Sequence, residues 1–73
     1  MKNKIEAVMR IVFELSEDFP KINLNSMHIG TWDSLNHMNL IVALEEEFNI
    51  TFDEDEISEM ISLELIELII KEK

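Results

Sequence analysis

A single glycine, Gly30, and a single proline, Pro20, are all that 73 residues offer for tight reversal of the backbone. Short hairpin turns draw heavily on glycine, so a meander of strands has little to turn with. Apolar residues still make up 47% of the chain, which is enough to drive folding. Helices joined by a few loops follow, and the length predicts one domain spanning residues 1–73.

Spacing of the apolar residues sets the expected elements. Ile5, Val8, Val12 and Leu15 trace one helical face, widened by Met9 and Ile11, and Asn3 with Glu6 forms a capping-box pattern. A first helix is predicted from about Lys4 to Glu17, ending ahead of Pro20. No helical period survives from Asp18 to Trp32, where Ile22, Leu24, Met27 and Ile29 read as pins for a long loop and Gly30 as a special backbone position. Asp33 is a good N-cap, and Leu35, Leu40, Ile41, Leu44 and Phe48 define a second helix from about Ser34 to Glu47. Asp53 and Glu56 open a short third helix to about Met60. Ser62 caps a fourth, whose only polar stripe is Glu64, Glu67 and Lys71, so it is expected to be largely enclosed. The predicted fold class is all-α, a four-helix bundle with a short third helix and a long loop between helices one and two.

Charge narrows the partners. Six basic residues against sixteen acidic ones give a formal net charge of −10. Such a chain is repelled by phosphate backbones and anionic lipid, so neither nucleic acid nor a membrane surface is expected as a partner. Basic patches on other proteins are. Most of the acidic residues follow Leu44, a bias that solubility alone does not require. With no cysteine there is neither a disulfide framework nor a thiolate metal site, and the opening residues carry no apolar run of the signal-peptide kind. A cytoplasmic monomer is expected.

Ser34 falls at the first turn of the second helix, beside unpaired backbone N–H groups and the positive end of the helix dipole. That position suits a covalently attached phosphate, because the helix end attracts the anion without a basic side chain. At about 100° per residue, Met38 and Val42 lie close to the direction of Ser34 and away from the Leu40–Leu44–Phe48 line. They are covered by a further helix, or they form an exposed ledge beside the serine, ringed by Glu45 and Glu46.

Asp33-Ser34-Leu35, followed by an apolar helix closing on Ala43-Leu44-Glu45-Glu46-Glu47-Phe48, resembles an acyl carrier protein of the stand-alone type, over nearly the whole chain. The resemblance implies that Ser34 is esterified by 4′-phosphopantetheine donated by coenzyme A, whose thiol carries acyl intermediates as thioesters. It implies a phosphopantetheinyl transferase and acyl-loading and acyl-transfer enzymes as partners. The second helix is that family's principal recognition helix, so partner docking is expected through Asp33, Leu35, Met38, Val42, Glu45 and Glu46. Carriers of fatty-acid synthesis typically have acidic residues where this chain has Asn36 and Asn39, which points to a specialised biosynthetic pathway. An aminoacyl or peptidyl carrier with the same serine chemistry stays open. So, more distantly, does an unmodified interaction module in which Ser34 is only a helix-start residue.

Other constellations are weaker. Ser34 and His37, three residues apart, invite a nucleophile and general-base reading, yet no glycine-rich elbow or enclosing pocket is legible, so no enzyme is expected. Asp53, Asp55 and Glu64 match three positions of a calcium-binding loop, but Ile57 and Ser58 stand where an oxygen ligand and the turn glycine are needed, so no metal site is expected. Trp32 reads as a loop anchor, with partner or cargo contact as the alternative. Self-repulsion at −10 predicts that the melting temperature rises with added salt or Mg²⁺. A flat response in thermal denaturation would remove repulsion from the terms that limit stability.

Overall fold

The computed structural model describes all of residues 1–73 as a small helical domain measuring 30 × 24 × 18 Å. Four helices follow in order: α1 (Lys2–Val12), α2 (Ser34–Phe48), α3 (Glu54–Glu59) and α4 (Leu63–Lys71), with a single 3₁₀ turn at Lys21–Asn23 inside the long first loop. No strand is present. α1 packs against α2 and α4, and the short α3 lies on α4. One core results, built from fourteen buried apolar residues that include Ile5, Met9, Phe13, Leu40, Leu44, Leu63 and Ile66.

α1 is shorter than its apolar pattern predicts, and it starts earlier. It begins at Lys2 with Met1 at the N-cap, so Asn3 lies inside the first turn and the expected Asn3–Glu6 capping box is absent. Glu6 instead receives the Arg10 guanidinium at 3.0 Å and Lys21 Nζ at 3.4 Å. The helix stops at Val12 rather than Glu17 because Glu14 takes the left-handed conformation, with φ 55°. Leu15 N–H then bonds the Arg10 carbonyl at 2.9 Å and Glu14 N–H the Ile11 carbonyl at 3.3 Å, the paired bonds of a Schellman motif. Arg10 secures this end by donating to the carbonyls of Ser16 and Phe19, each at 3.0 Å.

The long loop is pinned by half of the residues expected to do so. Leu24 and Ile29 are buried, whereas Ile22 and Met27 are 85% and 91% exposed. Backbone bonds supply the remaining hold: Ser26 N–H to the Ile61 carbonyl and Leu63 N–H to the Leu24 carbonyl stitch the loop to the α3–α4 junction. Gly30 has no positive φ, and a Cβ there would meet nothing within 4 Å, so it is not the special backbone position its rarity implied. Left-handed caps are taken instead by Glu14 after α1 and by Asn49, with φ 54°, after α2.

The starts of α2, α3 and α4 follow their caps. Asp33, Asp53 and Ser62 accept from the backbone N–H of Asn36, Glu56 and Leu65, and Asp53 with Glu56 completes a full capping box. α4 is less enclosed than expected. Leu63, Ile66, Ile69 and Ile70 face the core, but Leu65 and Leu68 stand exposed beside Glu64. A helix at the edge of so small a domain has neighbours on one side only.

Two carboxyls titrate below their ordinary range. At Glu6 partial desolvation opposes ionisation, but the hydrogen bonds and charges of Arg10 and Lys21 together outweigh it. At Glu56 the hydrogen bonds from Lys73 and from the Asp53 N–H favour the carboxylate. A carboxyl whose folded pKa lies below its unfolded value adds stability that is complete above about pH 4.5 and is lost as pH falls through the folded value. Thermal melts between pH 7 and pH 3 are therefore expected to fall less steeply over the acid limb for Glu6→Gln than for the wild type. Parallel acid limbs would mean that the Glu6 pairs contribute nothing in solution.

Candidate functional site

Ser34 is the first residue of α2, and the backbone around it is fixed from both sides. Asp33 Oδ1 accepts from Asn36 N–H at 2.8 Å, and the Asn36 side-chain amide donates to the Thr31 carbonyl at 2.8 Å. Thr31 Oγ1 in turn donates to the Phe13 carbonyl at 2.9 Å, which ties the turn to the end of α1. Ser34 itself is exposed, and its hydroxyl has no protein partner among the side-chain hydrogen bonds. A free hydroxyl is thus held at a defined place on the helix N-terminus.

Trp32 and His37 build the wall beside it. The indole stacks on Phe13 with ring centroids 4.4 Å apart, so Trp32 is the loop anchor its size predicted, half-buried rather than enclosed. Its Nε1–H donates to His37 Nδ1 at 3.0 Å, while His37 Nε2 lies 2.8 Å from the Ile57 carbonyl at the end of α3. An indole N–H only donates and a carbonyl only accepts, so both bonds form together only in the neutral tautomer protonated on Nε2. Both ring nitrogens are engaged, which leaves none free to take a proton from Ser34. His37 therefore sits at the core edge as a bridge, and sequence spacing to Ser34 said nothing of its two real partners.

An open pocket of about 460 Å³ lies against these residues, lined by Trp32, Asp33, Ser34, His37 and Met38. It contains no lysine or arginine. Along the outer face of α2, Leu35, Met38 and Val42 are 71%, 47% and 52% exposed, so no further helix covers them and the ledge is open. Glu46 is exposed at its far end, but Glu45 is only partly so, because its Oε2 accepts the Phe52 N–H at 2.9 Å and holds the α2–α3 loop. This second task of Glu45 was not legible in the sequence, since no local motif joins residues seven apart.

No group of three or more His, Asp or Glu side chains converges as metal ligands do, and Asp53 is used in the capping box. No helix is long and apolar enough to cross a membrane. Comparison with family models, with characterised proteins and with solved structures returned no match, so the functional reading rests on the residues themselves.

The Trp32–His37–Ile57 chain predicts a measurable coupling. In urea denaturation followed by circular dichroism, Trp32→Phe, His37→Ala and the double variant are expected to give a coupling energy of about 1 kcal/mol, the usual net worth of one such bond. Strict additivity would mean that the bond does not form in solution.

Proposed function

We propose that this chain is a stand-alone carrier protein whose Ser34 takes up 4′-phosphopantetheine and then presents acyl intermediates, as thioesters, to a series of enzymes. One observation carries the reading most: a serine hydroxyl without a protein partner stands at the start of a well-capped helix, with an exposed apolar strip leading away from it. The helix end offers N–H groups to a phosphodiester, and Leu35, Met38 and Val42 with Glu46 offer an apolar and acidic face to a basic partner.

The chemistry asks little of the chain. Ser34 Oγ attacks the pantetheine-bearing phosphorus of coenzyme A, the phosphoanhydride P–O bond breaks, and adenosine 3′,5′-bisphosphate leaves. The hydroxyl proton passes to a base of the transferase, which also supplies Mg²⁺, while this protein contributes a positioned nucleophile. The carrier is then a substrate in its loading reaction and has no catalytic centre of its own. With coenzyme A as donor, it works in the cytoplasm. Its acyl-loading and acyl-transfer enzymes belong to a specialised pathway, since Asn36 and Asn39 put no charge on the first turns of α2 and leave Glu46 and Glu47 as its exposed acidic residues.

The same exposed strip is also what an unmodified interaction module would show. Intact mass decides between them. Incubation with coenzyme A, Mg²⁺ and a broad-specificity phosphopantetheinyl transferase is expected to add one phosphopantetheine to the wild type and none to Ser34→Ala. Failure of the folded wild type to gain mass, with a transferase from the same source as well, would leave the interaction module as the reading.

A further inference from the structure

An arm attached at Ser34 has two directions open to it, along the protein or into solvent, and the geometry around the serine selects one. The interior is not available. The bundle holds no cavity apart from the pocket beside Ser34, and its fourteen core side chains are buried against one another. The seam between α2 and α3 nearest Ser34 is spanned by the His37 Nε2–H bond to the Ile57 carbonyl, which Trp32 holds in place from the other ring nitrogen.

The pocket, by contrast, begins at the serine. Ser34 is one of its five lining residues, so any group esterified there starts at its wall, and the tether raises the local concentration of that group far above what free ligand reaches. Its volume of about 460 Å³ is within the range that holds a small organic ligand. The lining states which chemistry fits. Trp32 and Met38 offer a ring and a thioether to apolar groups, no lysine or arginine is present, and the one carboxylate, Asp33, is already engaged with Asn36 N–H. With no lysine or arginine present and both His37 nitrogens engaged, an anionic segment finds no partner, and a neutral one with methyl and methylene groups does.

On the carrier reading given above, we propose that the pocket formed by Trp32, His37 and Met38 is the resting place of the pantetheine arm. The geminal methyls and methylenes of the arm lie against the indole and the Met38 side chain. Its amides face water, and the phosphodiester stays at the helix end. The thiol and its cargo are thereby kept along the outside of the molecule, beside the Leu35–Met38–Val42 strip, rather than within the helices. Trp32 and Met38 are then specificity-determining contacts for the arm.

Trp32 is the only tryptophan, so its fluorescence reports on this pocket alone. The experiment compares acrylamide quenching of the unmodified protein, the mass-verified phosphopantetheinylated protein, and Met38→Asp carried through the same modification. Attachment is expected to lower the quenching constant of the wild type about twofold, because a ligand lodged in a shallow pocket covers the ring it touches. In the modified fraction of Met38→Asp, isolated and mass-verified whatever its yield and compared with its own unmodified form, the decrease is expected to vanish while the helical circular dichroism is unchanged. Full mass gain with unaltered quenching would overturn the pocket proposal and leave the carrier reading intact. Equal protection in the wild type and Met38→Asp would overturn it as well. Absence of any mass gain would overturn the carrier reading, and with it the arm as occupant.

Discussion

The serine end of this molecule depends on the contact between Trp32 and His37. One face of the indole stacks on Phe13 at the close of α1, and its Nε1–H meets an imidazole that is itself bonded to the end of α3. Through two side chains, the end of one helix, the start of the second and the end of the third are brought into register. The long loop could otherwise deliver α2 at many angles, since a connection of that length constrains its ends only weakly. Stacking and hydrogen bonding act together here: the stack fixes the plane of the indole, and the bond fixes its direction.

Scarce basic residues are used structurally. Lys4 lies 3.8 Å from Glu47, Lys21 and Arg10 share Glu6, and Lys73 pairs with Glu56 while its ammonium lies 5.5 Å from the Phe52 ring centroid. Exposed pairs of this kind contribute little each. Their more telling effect is on where positive charge is absent: four of the six cations are paired elsewhere, and none lines the Ser34 pocket. The N-terminus of α2 is left to supply whatever attraction an anion finds there.

Much of this was legible locally. Asp33, Asp53 and Ser62 announce helix starts because a cap is decided by one short side chain and the backbone three residues on. The apolar ledge of Met38 and Val42 was legible as a direction on the helix, though not whether another helix would cover it. Helix α1 misled for the same local reason. Its apolar period runs through Leu15, but Glu14 adopts a left-handed cap that no glycine signals, and Arg10 binds the carbonyls beyond it. Gly30 misled in the opposite sense, since rarity in composition is not a backbone requirement. Exposed Ile22, Met27, Leu65 and Leu68 show how few apolar residues a core of this size can enclose.

By itself the sequence determined the all-helical class, the caps of α2, α3 and α4, the place of Ser34 at a helix start and the acidic balance. Each of these is set by composition or by residues within one turn of each other. Tertiary structure alone decided that His37 bonds Trp32 and Ile57, that Glu45 holds Phe52 rather than standing free, and that a pocket opens beside Ser34. These depend on how the long loop and α3 come against α2, and contacts between residues five to twenty positions apart are fixed by packing in three dimensions, which no local pattern encodes.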